Sequence, residues 1–233
     1  MIAPPAVDLL HRPLAALVRA YGAPASVATR DDGQHIVFGD AAASISAIVD
    51  DDATIHAVDL AFPAGTTYAL EVDGKTHTFT FGTTTSLGAR DELAADAETV
   101  GASFRVFRRS ADSGIVLVFD PASSTLTHVV MGDRATLLRL GYLADPRPTQ
   151  NRFPFTAPVL KHSGVADGTG SRATVLRLDL DRSGSVRNVV VIVASDDAGF
   201  DQQLVASLAR DAYAPAKLGG RSIGASVLRE VRH

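Results

Sequence analysis

The residues of this chain whose types could do chemistry are its histidines, its aspartate clusters and one segment spaced like a calcium loop. The histidines are His11, His35, His56, His77, His128, His162 and His233. None forms an H-x-H or H-x-x-x-H pair beside an acid, so a zinc site would have to be assembled from distant segments. The even spacing of His35, His56 and His77 matches no ligand geometry, and surface or strand-capping roles are expected. Asp31-Asp32, Asp50-Asp51-Asp52 and Asp196-Asp197 could pair carboxylates for acid–base work. All fall at predicted turns, where hydration accounts for them. Asp179, Asp181, Ser183, Gly184 and Val186 imitate the start of an EF loop. The position that needs a bidentate carboxylate is Val190 and the flanks read as strands, so a plain β-turn is expected.

No G-x-S-x-G elbow, P-loop or dinucleotide fingerprint appears at a strand–helix junction. The Gly82–Ser86 segment reads as a helix N-cap at Ser86 rather than a phosphate cradle, and Arg108-Arg109 as a strand end at solvent. No catalytic residue, metal ligand or cofactor is therefore assigned, and the chain is not read as an enzyme. The enzymatic alternative is a hydrolase with a site between two domains, joining for instance His128 to a C-terminal acid.

The elements that would position these groups belong to an ordinary globular chain. Of 233 residues, 46% are hydrophobic and 21% charged, which favours a folded chain of about two domains. A net charge of −4 and 6% aromatics without Trp argue against a nucleic-acid partner. Without Cys there is no disulfide, thiolate site or lipid-bearing thiol, and redox chemistry does not disclose the compartment. No run of about 18 apolar residues offers a membrane span. The start, Met1–Val7, lacks the basic patch and apolar core of a signal peptide. The chain is read as a mature or trimmed form, a cytosolic protein being the alternative.

Residues 146–157 lie in a segment with Pro146, Pro148, Pro154 and Pro158, which predicts a semi-stiff linker. Upstream, residues 1–145 form a strand-rich α+β region readable as two related units, about 1–66 and 67–145. The first opens with a helical pattern over Val7–Tyr21, breaks at Gly22-Ala23-Pro24, and continues with strands His35–Phe38, Ser44–Val49 and Ile55–Leu60. The second has a helical pattern over Ala89–Ala97 and strands Phe104–Arg108, Ile115–Phe119 and Leu126–Val130. Between them Asp73-Gly74 joins Tyr68–Val72 to Lys75–Phe81 as a hairpin, and a further helix is predicted over Arg134–Tyr142.

Residues 158–233 carry the clearest pattern. From Ala173, Thr174, Leu176, Leu178 and Leu180 alternate with Val175, Arg177 and Asp179, the period of a half-buried strand. A turn at Arg182–Ser185 leads to Val186–Ala194, whose β-branched run predicts a central strand covered on both faces. Phe200, Leu204, Val205, Leu208 and Ala212 share a helical stripe, Pro215 stops it, and Ile223–Arg232 resumes alternation. The fold class is α+β: small antiparallel sheets packed with helices, ending in a ββαβ module whose last strand lies at an edge.

Asp181, Gly184 and Val186, then Ser195, Phe200 and Asp201, then Tyr213, Pro215, Ala216 and Gly220-Arg221 follow in an order that resembles the C-terminal domain of TonB-family energy transducers. The helix, Gly-x-Pro break and strand meander upstream are similar to small envelope domains of the BamE/SmpA type. The TonB resemblance implies a periplasmic or cell-envelope protein that pairs its terminal strand with a peptide of an outer-membrane receptor by strand addition. It implies a partner site at Tyr213, Pro215, Ile223, Ala225, Ser226, Val227, Leu228 and Arg229 and a role in TonB-dependent transport. The alternative within protein interaction is a scaffold that dimerises through the same module.

Overall fold

Pro13 and Gly22 bracket the first helix: proline cannot extend it backwards, and Gly22 ends it at φ +80°, a conformation that other residues avoid. The computed structural model describes residues 2–6, 8–30, 33–72, 74–93, 98–99, 104–108, 112–143, 155–165, 168, 170, 173–195 and 197–232. Asp31-Asp32, Asp73, Ala94–Ala97, Arg109, Asp196, His233 and the proline-rich stretch from Ala144 to Pro154 lie outside the described residues. The chain divides into two compact units, Met1–Thr136 and Leu137–His233, so the division falls within a helix upstream of the proline-rich segment.

The N-terminal unit holds α1 (Leu14–Tyr21), β1 (Ser26–Arg30), β2 (Gly33–Gly39), β3 (Ser44–Val49), β4 (Ile55–Ala61) and the hairpin β5 (Thr67–Val72) and β6 (Lys75–Thr80). It continues with α2 (Ser86–Leu93), β7 (Glu98–Thr99), β8 (Phe104–Arg108), β9 (Ser113–Phe119), β10 (Leu126–Asp133) and the start of α3 (Arg134–Arg139). Eight strands form one antiparallel sheet in the order β1-β2-β3-β4-β10-β9-β8-β7. The two sequence units therefore share a sheet, joined where β4 pairs with β10. Ile45, Val58, Leu60, Leu117 and Val129 line its core face together with Leu17 of α1 and Tyr68 and Phe79 of the hairpin. Each such fully buried side chain contributes about 1.5–3 kcal/mol.

Both halves repeat one local arrangement. Pro13, just before α1, bridges Thr54, and Thr85, just before α2, bridges Thr125. The Leu14 amide donates to the Ala53 carbonyl at 2.8 Å, and the Ser86 amide to that of Ser124 at 3.2 Å. Ala53 and Ser124 both take left-handed backbone conformations, φ +57° and +56°. One extra residue then bulges from each following strand, His56 in β4 and Thr127 in β10. The α2 cap is Thr85, whose hydroxyl accepts the Gly88 amide at 3.1 Å, one residue before the expected Ser86.

In the C-terminal unit the main sheet runs β14 (Val186–Val193), β13 (Ala173–Leu180), β18 (Ala225–Arg232), all antiparallel. β13 is the central strand, buried along nearly its whole length. β14 is an edge strand with Arg187 and Asn188 exposed, contrary to the expectation from its β-branched run. That composition reflects propensity for the pleated conformation, which edge and central strands share. Helix α4 (Ala198–Leu208) follows β14, and its Leu204 and Leu208 pack with Leu176, Leu178 and Tyr213. Asp197 caps α4, accepting the Gly199 and Phe200 amides at 2.9 and 3.0 Å.

The terminal stretch is not one strand. β15 (Ala212–Ala214) pairs with β12 (Val159–His162), and β16 (Ala216–Leu218) pairs with β11 (Phe155–Thr156) and with β17 (Arg221–Ile223) around Gly219-Gly220. Gly224 then separates β17 from β18.

The calcium-like segment is a turn. The Asp181 carboxylate accepts the Ser183 hydroxyl at 2.6 Å, the Ser183 and Ser185 amides at 2.8 and 3.1 Å, and Arg187 Nε at 2.7 Å. The Ser183 hydroxyl first, then those amides and Arg187, outweigh partial desolvation and hold the Asp181 pKa down to about 2. A carboxyl depressed in the folded state stabilises the turn above its ordinary value of 3.8 and loses that contribution as pH falls through about 2. The Asp181 carboxyl carbon should therefore titrate by NMR near pH 2. In Arg187→Ala its midpoint should move up but stay below the ordinary value, because the serine donors remain. A wild-type midpoint near 4 would refute this account of the turn.

Candidate functional site

The terminal strand was expected to present a partner site, and its residues fall into three environments. Tyr213, on β15, is 3% exposed within the core against α4, and burial pushes its hydroxyl pKa above the usual range. Ala225 and Ser226 are buried, and the Ser226 hydroxyl donates to Asp179 Oδ1 at 2.8 Å. Pro215, Ile223, Val227, Leu228 and Arg229 are half-buried, Ile223 belonging to β17 rather than to the terminal strand. Arg229 is engaged within the unit: its Nη1 lies 3.4 Å from Asp211 Oδ2, and Asp211 also accepts the Ser163 hydroxyl and the Gly164 amide.

β18 is the last strand of its sheet, pairing with β13 from Ala225↔Leu180 to Arg232↔Ala173. The turn after α3 approaches it closely. A Cβ added at Gly141, φ +78°, would stand 2.8 Å from the Ser226 carbonyl oxygen and 3.3 Å from the Leu228 nitrogen. Alternate residues of a strand direct their backbone groups to the same side. Gly141 therefore lies beside two polar groups of one side of β18, and the first half of the strand is covered by the chain itself. Beyond this stretch Arg229 and Glu230 are half-buried, Val231 is buried and Arg232 is exposed.

A second cluster gathers histidines and acids that are far apart in sequence. His56 Nδ1 lies 2.7 Å from Asp133 Oδ2, and His56 Nε2 lies 2.8 Å from Asp50 Oδ2. Each carboxylate uses its other oxygen on backbone: Asp50 Oδ1 accepts the Thr54 amide at 2.9 Å, and Asp133 Oδ1 accepts the Thr136 amide at the start of α3 at 2.7 Å. The His11 ring meets His56 edge-on, centroids 6.2 Å apart. Partial desolvation disfavours the charged imidazole, but the hydrogen bonds and charges of Asp50 and Asp133 outweigh it and raise the His56 pKa. Asp50 is lowered in turn, chiefly by His56 and then by the Thr54 amide.

His128 Nδ1 lies 2.9 Å from Asp59 Oδ1, within its own unit. His77 is buried on β6, His35 half-buried on β2, and His162 exposed on β12. Among the described residues no three His, Asp or Glu side chains are placed to hold a metal. Sequence reading assigned no role to Asp133 or Asp211, because neither belongs to a cluster of acids, and read Asp201 only as part of a helix start. Asp201 is instead buried, accepting the Thr174 hydroxyl at 2.9 Å and the Ser195 amide at 3.0 Å.

No family model matches the chain, and no curated protein matches it. Solved structures similar to it include a cysteine-rich secretory protein from Staphylococcus aureus, with 15% identity and a TM-score of 0.37, covering 60% of this chain and 50% of that one. An extracellular protein containing an SCP domain from Bacillus anthracis matches with 14% identity, TM-score 0.36, over 60% of this chain and 50% of that one. A DUF4309-family protein from Bacillus subtilis matches with 14% identity, TM-score 0.36, over 52% of this chain and 77% of that one. The chain thus spans half the length of the first two.

The likeness to TonB transducers is not upheld. No family model supports it, the similar structures named here are of other kinds, and the BamE/SmpA likeness lacks support in the same way. The residues that carried it have an internal explanation. The Tyr213 amide donates to the Gly184 carbonyl at 3.0 Å, and Gly184 packs against the Tyr213 carbonyl and the Pro215 nitrogen. The spacing of Asp181, Gly184, Tyr213 and Pro215 is thus that of a turn docked on β15, a contact this fold needs whatever its partner. The fold remains α+β with antiparallel sheets. Among the described residues no helix is long and apolar enough to cross a membrane.

Proposed function

We propose that this protein binds other polypeptides by strand addition, receiving an extended segment along the outer edge of β18. The observation that supports this most directly is the position of β18 as last strand of its sheet, with Leu228–Glu230 half-exposed. Strand addition of this kind draws its affinity from backbone hydrogen bonds and its specificity from alternate side chains. A location in the cell envelope or periplasm is proposed separately, and fractionation of cells carrying a tagged chain tests it.

A second edge favours self-association. β14 begins with exposed Arg187 and Asn188 and continues through Val189, Val190 and Val191, half-exposed and β-branched. Such an edge lacks the lysines and prolines that discourage pairing.

One experiment separates the two. Successive residues of a strand point their amides to opposite sides, so of Arg229→Pro and Glu230→Pro, beyond the stretch that Gly141 covers, one removes a bond to β13 and the other a group facing away. A short peptide of alternating valine and threonine serves as guest, and light scattering reports mass. The outward-facing proline should abolish peptide binding while exchange protection of β13 persists; Val190→Lys should leave binding intact and lower any concentration-dependent mass. Peptide binding that survives both prolines rules out β18 as the docking edge.

A further inference from the structure

We propose that His56, with Asp50 and Asp133, forms a proton-dependent latch that locks the turn between β3 and β4 to the first turn of α3. Both imidazole nitrogens face a carboxylate oxygen within 2.8 Å, and carboxylates only accept. Both nitrogens must therefore donate, which requires the imidazolium. Loss of one proton turns one of these contacts into a lone pair facing an anion. The two partners are not loose surface acids, since each also holds a backbone amide, Thr54 at the turn and Thr136 in α3.

The repeated architecture supplies the comparison that separates latch from scaffold. The second half builds the same turn, left-handed residue, bridge and bulge with Thr127 where the first has His56. Thr127 Oγ1 donates to the Val118 carbonyl at 3.1 Å, and Asp120 holds the Ala122 and Ser123 amides without a histidine. The bulge therefore needs no titrating group, and His56 adds a proton-controlled tie that the frame does not require. That tie ends on α3, the helix through which the chain passes from one unit into the other.

The charged surroundings agree. His11 faces His56 from the segment before α1; Asp50 faces it from the turn, followed by exposed Asp51 and Asp52; Asp133 faces it from β10, followed by Arg134. Asp59, on β4 with His56, is engaged by His128. A histidine raised in the folded state stabilises fully below the ordinary histidine range and loses that contribution as pH rises through its folded value. The lowered Asp50 carboxyl keeps its charge to lower pH than an ordinary aspartate does. The latch is closed from mildly acidic to near-neutral pH and opens above it.

Amide exchange of the full-length chain, expressed as protection factors at pH 6 and pH 9, tests this. Protection at Thr54 and Thr136 should fall by about tenfold between the two in the wild type. It should be low and pH-independent in His56→Gln, while Ala122 and Ser123 serve as references that do not change. The nitrogen-15 spectrum of His56 in the unmodified protein gives an answer that does not depend on the variant folding. Two protonated ring nitrogens at pH 6.5 support the latch; a single-proton tautomer there, or the same pH profile in wild type and variant, overturns it.

Discussion

Alanine at Gly184 is expected to destabilise the C-terminal unit by about 3 kcal/mol, far more than its single methyl suggests. Gly184 stands at φ +85°, where an L-residue costs about 1–2 kcal/mol. A Cβ there would also run into the Tyr213 carbonyl oxygen and lie 3.1 Å from the Pro215 nitrogen. Both obstacles are backbone and cannot swing aside, and the Tyr213 amide bond to Gly184 fixes their position. Gly220 provides the control, with a similar φ of +80° and nothing within 4 Å of the added carbon. Gly220→Ala should cost about 1 kcal/mol, the backbone term alone. For a unit of this size the Gly184 change corresponds to a melting shift of about 12–24 °C, read through exchange protection of β13. Equal losses at the two glycines would show that the turn does not dock on β15 as described.

Removing the Asp179 carboxylate should cost about 3 kcal/mol in Asp179→Ala. Asp179 is buried on central β13, opposite Asn188 on β14 and Ser226 on β18 in the strand register. Its oxygens accept Ser226 Oγ at 2.8 Å, Asn188 Nδ2 at 3.1 Å and Arg177 Nε at 3.1 Å, so one carboxylate ties all three strands together. Alanine leaves the buried Ser226 hydroxyl facing an empty acceptor position, and an unmet buried donor carries its full desolvation penalty. Asp179→Asn keeps the shape and one acceptor and should cost about half as much. Ser226→Ala should be mild alone and cost almost nothing further in the Asp179→Ala background, the non-additivity expected of contacting residues. Urea unfolding measures the four variants against the wild type; strict additivity, or a loss under about 1 kcal/mol in Asp179→Ala, would reduce this polar row to a surface feature. If the row holds, β18 is rigidly presented, as an edge that receives a guest strand must be.

The chain's local alternations and breaks were legible in its residues. Ser44–Val49 and Phe104–Arg108 form strands where the pattern predicted them, and Gly22 and Gly184 mark the helix end and the turn as read, whereas the helix expected over Val7–Tyr21 begins only at Leu14, after Pro13. Such features depend on neighbours a few positions away, so a linear string displays them. Strand β1 escaped because Ser26–Arg30 is mostly exposed and shows no apolar alternation. The rank of strands within sheets was not legible: β14 looks more buried than β13 by composition, yet lies at the edge. Nor could spacing reveal that Asp133 would reach His56 across 77 positions, or that Tyr213 would close over Gly184. Those contacts arise from which strands pair, above all β4 with β10, and chain-distant pairing leaves no periodic trace in the segments that meet. The sequence by itself determined an α+β chain of helices and antiparallel strands. Only the tertiary structure decided which strand stands at an edge and which histidine lies between two carboxylates, because burial and charge proximity are properties of space rather than of order along the chain.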